Sequence, residues 1–298
     1  MNVKPFLKTI RIIVYKYLFF MLSDEQFIKI QYKIRTKSKL NIKNPTTYNE
    51  KIQNYKIEYK NPIMKKCVDK IEVRNFVHER LGKDRAEEIL IPLLWSSETT
   101  QNIDFDKLPN QFILKLSNGS SFNKIVYDKN KVNTYWLKAM FNFYSKAEYY
   151  YYGREWAYKD IKNRFLIEEL LDFKGKIPND YRFFCFNGKV KFITVDSNSI
   201  TKGAKNTNYN RNLYNTEWEE LQSEIHYEKA SKGIEKPKKL KEMLEISELL
   251  SEGFPHVRVD FYYFDEKIYF GELTFYHASG YQEFRPFEFG REVGDYFI

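Results

Sequence analysis

The sequence predicts an α+β protein built mainly on antiparallel sheets. Two aromatic-rich runs within YRFFCFNGKVKFITVD (181–196) flank Asn187-Gly188, a dipeptide suited to a two-residue hairpin turn. A second pair, VRVDFYYF (257–264) and KIYFGELTF (267–275), is joined through Asp265-Glu266. Helical and strand-like segments mix without the regular βαβ alternation of a doubly wound sheet.

The remaining elements follow in order. Residues 6 to 22, FLKTIRIIVYKYLFFML, are apolar but carry Lys8, Arg11 and Lys16. A spanning helix needs about 20 mostly uncharged residues, so this run is too short and too interrupted. It lacks a small-residue cleavage site, which argues against a signal peptide. Across residues 1–43 ten Lys or Arg stand against two acids. A basic amphipathic helix on an acidic membrane face fits that pattern. The alternative is a helix packed on the main domain with its basic side solvated.

Asn44 or Thr46 is placed to cap a helix from about Tyr48 to Tyr59 that Pro62 stops. A second helix is expected over 69–81, closed by Gly82. IPLLW (91–95) reads as a short buried strand and QFILKLS (111–117) as another, bounded by Pro109 and Asn118-Gly119. A helix is expected over 131–144, while helix and strand compete for RFLIEELL (164–171). A further helix runs from near Pro237 to about Glu252, with Leu240, Met243, Leu244, Ser247 and Leu250 at core spacing and Gly253 closing it.

With 298 residues, 43% hydrophobic and 30% charged, the chain can bury a substantial core and is globular rather than disordered. A net charge of +9 suggests anionic partners. No helix-turn-helix, zinc-finger or RNP pattern occurs, which argues against nucleic acid. Cys67 and Cys185 have no partner spacing and read as reduced thiols. His78, His226, His256 and His277 make no zinc-like cluster.

The last hairpin carries the strongest chemistry. Arg258 and Asp260 share one face of its first strand, and Glu272 and Thr274 one face of its second. A three- or five-residue connection sets Asp260 opposite Glu272 and Arg258 opposite Thr274. A two-residue turn sets Asp260 opposite Gly271 instead. Opposed carboxylates repel unless a divalent cation lies between them, and carboxylates with phosphate oxygens suit Mg²⁺. A charged solvent face, with Arg258 neutralising an acid, fits the spacing equally well.

FILKLSNGSSFNKIV (112–126) is a strand, a Gly/Ser turn and a second strand. Backbone N–H groups of such a turn can cradle phosphate, although an ordinary hairpin has the same pattern.

Taken together, NPTTYNEKIQ, the DKIEVRNFV run from Asp69, LPNQFILKLSNGSS, GREW around Glu155, IEELL, DYRFFCFNGK and FPHVRVDFYYF…YFGELTF resemble the TupA-like ATP-grasp family, named for teichuronopeptide biosynthesis. The resemblance covers nearly everything after residue 44. It implies an ATP-grasp fold with the nucleotide held between two antiparallel-sheet lobes. Behind the basic amphipathic helical segment read above over 1–43, it further implies a helical α+β region over 44–108, a lysine-bearing lobe over 109–170 and a metal and substrate lobe over 171–298. By the family's R-x-D and E-x-N strands, Asp260 and Glu272 would bind Mg²⁺, and Arg258 would steady the acyl-phosphate and the oxyanion. Thr274 stands where the family usually has Asn and offers only a hydroxyl.

By the same resemblance Lys115 would meet a phosphate of ATP, with Asn118, Gly119, Ser120 and Ser121 as the lid. Relatives often read K-x-N-H-G-S-G there, so this lid lacks a second Gly and a His. Backbone groups of Glu169, Leu170 and Leu171 would read adenine with Glu168 nearby, and Asp180 would contact ribose. Lys189 and Lys191, then Lys202, Lys205 and Arg211 in a polar loop, are further candidates for phosphate or acceptor.

The implied activity is ATP-dependent ligation of a carboxylate-bearing sugar or peptide to an amine, in capsular or cell-wall polysaccharide synthesis. The expected setting is the cytoplasm, with the basic N-terminus against the inner face of the membrane. A glycosyltransferase is the competing enzyme class. Its D-x-D would have to be Asp104-Phe105-Asp106, which reads as a loop with no strand leading into it. A non-catalytic module binding membrane or polysaccharide leaves the opposed acids and Lys115 without a role.

Overall fold

In the computed structural model, which describes residues 3–175, 178–197, 200–201, 204–205 and 209–297, helices and strands follow in the mixed order expected. The helices are α1 (Val3–Leu18), α2 (Asp24–Thr36), α3 (Tyr48–Glu58), α4 (Ile63–Val68), α5 (Glu72–Leu81), α6 (Lys83–Ile89), α7 (Thr134–Tyr144), α8 (Tyr150–Gly153), α9 (Leu240–Ser251) and α10 (Phe287–Asp295). The first strands are β1 (Leu93–Ser97), β2 (Phe112–Leu116), β3 (Asn123–Val126), β4 (Phe165–Glu169), β5 (Asp180–Phe186) and β6 (Lys189–Ser197). They are followed by β7 (Ile200–Thr201), β8 (Ala204–Lys205), β9 (Asn210–Tyr214), β10 (Glu224–Ile225), β11 (His256–Phe264), β12 (Lys267–Thr274) and β13 (Phe284–Arg285).

Several boundaries differ from expectation for local reasons. Thr47, not Asn44 or Thr46, caps α3, in a capping box with Glu50. The expected helix over 69–81 begins only at Glu72. The Asp69 carboxylate accepts from the N–H groups of Ile71 and Glu72, starting α5 and separating it from α4. Asn133 caps α7 through the Trp136 N–H, three residues later than expected. The helix expected from near Pro237 starts at Leu240, whose N–H bonds to the Pro237 carbonyl, and α10 follows it where no helix was expected.

The chain forms two units, each drawn from three segments. The first comprises Met1–Ile30, Lys60–Phe76 and Ile91–Leu171; the second comprises Gln31–Tyr59, Val77–Leu90 and Asp172–Ile298. In the first unit the strands run in the order β1-β4-β2-β3, antiparallel throughout. RFLIEELL settles as the strand β4 because it lies inside the sheet and buries four successive residues, Phe165 to Glu168. A strand buried on both faces loses its alternation, which is why its period is ambiguous. The edge strand β1 starts at Leu93, two residues later than expected, and alternates between half-buried and exposed rather than being buried. Phe112, Leu114, Phe165 and Ile167 form a core with Leu137, Phe141 and Tyr144 of α7 and Ile12 of α1.

In the second unit the strands run in the order β12-β11-β5-β6-β9, again antiparallel. Helix α9 packs across β5, β6 and β11 and buries Met243, Ile246 and Leu250. On the other face Tyr48 of α3 meets the rings of Phe184, Phe186, His256 and Phe284. Asn187 and Gly188 both take positive φ, 49° and 76°, as a two-residue hairpin turn requires. Asp265 and Glu266 do the same at 47° and 58° with no glycine to relieve them.

Candidate functional site

The β11–β12 turn is two residues long, with Phe264 paired to Lys267. In an unbroken ladder that turn would set Asp260 opposite Gly271. Asp260 nevertheless lies opposite Glu272, and Arg258 opposite Thr274, because the register shifts between Asp260 and Phe261. Gly271 is the extra residue of a β-bulge. A Cβ there would stand 3.0 Å from the Asp260 carbonyl oxygen, so glycine is what admits so close a backbone approach. The expected dependence of register on turn length alone is therefore corrected by this one residue.

The bulge leaves Arg258 and Asp260 on one face with groups from neighbouring strands. Arg258 grips Asp260 with two parallel bonds, Nε to Oδ1 at 2.6 Å and Nη2 to Oδ2 at 2.5 Å. Its Nη2 also reaches Thr274 Oγ1 at 3.2 Å and lies 3.6 Å from Glu272 Oε1. Its Nη1 donates to Nδ1 of His277. Burial and the neighbouring Arg258, Arg211 and Arg182 hold His277 neutral, well below the usual histidine range. Its Nε2 is buried with no hydrogen-bond partner among the described residues.

Behind this hairpin, β5 supplies Arg182, the Cα partner of Asp260. Arg182 touches three acids, at 2.5 Å from Asp196, 3.4 Å from Asp180 and 3.8 Å from Asp260. Asp196 is also gripped by Arg211 of β9, Nε to Oδ1 at 2.6 Å and Nη2 to Oδ2 at 2.8 Å. Burial raises Asp196, but Arg182 and Arg211 outweigh it and hold the carboxyl below its ordinary value. Burial lifts Asp260 to about 6, with Glu272 adding to the rise and Arg258 and Arg182 pulling against it.

Asp180 begins β5, directly opposite Asp196, with Arg182 bridging the two acids. Its carboxylate and burial push the Tyr262 phenol upward. Arg211 corrects the sequence expectation. It is a buried strand residue engaged with Asp196, not a cation in a polar loop. Lys189 is exposed and pairs with Glu248, and Lys191 lies over the Tyr296 ring. Lys202 lies outside the described residues, and Lys205 falls in β8.

In the first unit, Lys115 of β2 donates to Glu168 of β4, two strand residues on the face opposite the apolar core. Arg74 lies 4.0 Å from the same carboxylate and donates to the Ile91 carbonyl. The loop after Lys115 is tethered. Lys70 donates to the Gly119 carbonyl at 2.8 Å and Lys8 to the Ser120 carbonyl at 2.9 Å. Asn118 and Gly119 are buried while Ser120 and Ser121 are exposed. Gly119 has φ +78°, and a Cβ there would come within 2.8 Å of the Tyr149 ring. Glu169 and Leu170 line an open cleft of about 710 Å³ with Leu94, Pro109, Asn110 and Gln111, and Leu171 follows the end of β4. Asp104 caps a short 3₁₀ turn over Phe105–Lys107 and pairs with Lys107, so the D-x-D is local turn chemistry.

Sequence reasoning missed Arg182, Asp196 and His277. Alternation along DYRFF puts Asp180 and Arg182 on one face, but their partners depend on the order of strands in the sheet. Among the described residues no three His, Cys, Asp or Glu side chains gather as a metal cage. The paired carboxylates suit Mg²⁺ all the same, because that ion characteristically takes one or two carboxylates and completes its shell with phosphate and water. Arg258 holds both Asp260 oxygens, so an ion would compete with a guanidinium there. Glu272, 51% exposed, is the carboxylate open to an arriving ion.

These features define an antiparallel α+β protein that gathers carboxylates and guanidiniums on a sheet face and a half-buried lysine–glutamate pair on a second sheet. The family profile described as TupA-like ATPgrasp matches residues 50–298, and the chain belongs to that family. No curated protein matches the sequence. Among solved structures, D-alanine–D-alanine ligase from Bacillus anthracis complexed with ATP is 18% identical, covering 70% of this chain and 54% of its own, with a TM-score of 0.42. The ATP-grasp ligase PsnB with a minimal precursor is 14% identical over 80% and 63%, with a TM-score of 0.41. Phosphoribosylamine–glycine ligase from Thermotoga maritima is 12% identical over 74% and 52%, at 0.43. The chain thus spans less than two thirds of the length of each.

Proposed function

We propose that this protein is an ATP-dependent carboxylate–amine ligase. The observation that carries the proposal is the opposition of Asp260 and Glu272, set by the Gly271 bulge beside the buried guanidinium of Arg258. In this reading a carboxylate oxygen attacks the γ-phosphorus of ATP and ADP leaves. The amine then attacks the acyl carbon, phosphate departs, and the amine gives up a proton. Mg²⁺ held by Asp260 and Glu272, with Thr274 adjoining, would neutralise phosphate charge. Arg258 would stabilise the oxyanion, and Arg182 on the neighbouring strand adds a second positive charge 3.8 Å from Asp260. Lys115 would take a phosphate in exchange for Glu168, and Ser120 and Ser121 offer backbone N–H groups to it. Glu168 to Leu171 would serve adenine, and Asp180 the ribose.

The carboxylate donor we favour is a uronic acid or glutamyl group of a surface polysaccharide precursor, with an amino acid or small amine as acceptor. The family's name and the net charge of +9 support an acidic substrate. Use of ATP suits a cytoplasmic site.

The test is an ADP-release screen of uronic acids and glutamyl peptides against amino acids and small amines, with calorimetry of Mg²⁺-ATP binding alongside. Asp260→Asn and Glu272→Gln should stay folded by circular dichroism and lose turnover by on the order of 10²-fold or more. Turnover unchanged in both variants, or no Mg²⁺-ATP binding by the unaltered chain, would sink the reading.

A further inference from the structure

Helix α1 has two apolar faces, and only one is covered. Pro5, Thr9 and Ile12 are buried, Ile12 in the core of the first unit. On its other side Val3, Leu7, Ile10, Val14 and Tyr17 recur at alternating spacings of four and three, continued by Met21 beyond the helix end. Their exposures run from 39% at Ile10 to 82% at Met21, and Leu18 and Phe20 beside them are 65% and 72% exposed. At 100° per residue the five within the helix fall within an arc of about 80°.

The helix carries no acid, and its cations divide by direction. Lys8 and Lys16 turn inward, to the Ser120 carbonyl and to Glu148. Lys4 and Arg11 are exposed and border the apolar stripe on one side. This differs from a helix packed through its apolar side with a basic side in water, since the outward side is itself apolar.

The three–four spacing would also suit a coiled coil with a second copy. Its flanks do not. One flank holds Lys4 and Arg11 and the other Phe6, Ile13 and Phe20, so two copies would set cation against cation or against hydrocarbon, with no acid to pair. Nor does the helix cross a bilayer, since no helix among the described residues is long and apolar enough to do so. We infer that α1 lies flat on an acidic lipid surface, its stripe among the acyl chains and Lys4 and Arg11 at the headgroups. This inference is independent of the ligase reading.

The test is co-sedimentation of the full chain with vesicles of phosphatidylcholine alone and of phosphatidylcholine with phosphatidylglycerol. Binding is expected on the acidic vesicles, weakened by 1 M salt. Leu7→Asp with Val14→Asp should weaken it by about tenfold or more, and Lys4→Ala with Arg11→Ala should remove the preference for acidic lipid. All four positions are exposed, so circular dichroism should be unchanged. Absence of binding to acidic vesicles, or equal binding by the aspartate variant, overturns the inference. So does a wild-type dimer in sedimentation equilibrium that this variant converts to monomer, which would assign the stripe to a second copy.

Discussion

Replacing Arg211 with methionine should cost the second unit about 3–5 kcal/mol, the range for breaking a buried ion pair from one side. Arg211 is 1% exposed and uses all five N–H groups. Two go to Asp196, the others to Tyr209 Oη at 3.0 Å, Gln282 Oε1 at 3.2 Å and the Ile225 carbonyl at 3.3 Å. Methionine fills much of the volume but strands those acceptors, each lost charge-assisted bond being worth about 1.5–3 kcal/mol. The loss stops short of the sum because Asp196 keeps Arg182 at 2.5 Å.

Asp196→Asn should be at least as damaging, since it leaves two buried guanidiniums facing an amide. Combined with Arg211→Met it should cost less than the two single losses added, by about 1–3 kcal/mol. The assay is urea unfolding by circular dichroism at pH 7, in 0.1 M and 1 M NaCl. Salt screens exposed charges over about 3 Å at 1 M but reaches buried pairs far less, so the loss should be the same in both. A loss below about 1 kcal/mol, or one that halves in high salt, would refute the account of a buried, fully engaged Arg211.

Three further outcomes can be checked by the same unfolding measurements. His256, buried between the Tyr48 hydroxyl and the Cys185 carbonyl, is held neutral by burial, with its pKa lowered to about 3. Above pH 6.5 neither state is charged and its contribution is complete; below it the unfolded chain takes a proton that the folded chain refuses. Stability should fall by about 2–3 kcal/mol between pH 7 and 4.5 on this account, and His256→Gln should reduce the slope there by close to one proton. Glu266 sits at φ 58° in the β11–β12 turn, a conformation costing a side-chain-bearing residue about 1–2 kcal/mol. Glu266→Gly should raise stability by about 0.5–1 kcal/mol after the entropy glycine loses on folding, and any decrease would argue against this turn geometry. Gly119→Ala should destabilise by about 2 kcal/mol, from φ +78° and the Tyr149 ring 2.8 Å away, and an unchanged midpoint would mean the loop is looser than described.

What could be read in the sequence was whatever depends on near neighbours. Asn187-Gly188 specifies its turn whatever the rest of the chain does, and so does the lysine strand with its glycine at Gly119. The charged network is different in kind. Asp260, Arg182, Asp196 and Arg211 come from four strands, and they meet only because β11, β5, β6 and β9 lie side by side. No local pattern distinguishes Arg211, buried against Asp196, from a surface arginine in a polar stretch, and the sequence reading accordingly leaves it in a loop. Register shows the same limit at finer scale. Both long hairpins have two-residue turns, and both carry one extra residue on the second strand, Lys191 in β6 and Gly271 in β12. Counting from the turn therefore misplaces every pair beyond the bulge by one position, which moves Asp260 from Glu272 to Gly271. A glycine inside an otherwise regular strand is the trace such a bulge leaves, because the partner backbone comes too close for a Cβ. Gly271 carries that trace and Lys191 does not, so one shift was legible in principle and the other required the fold.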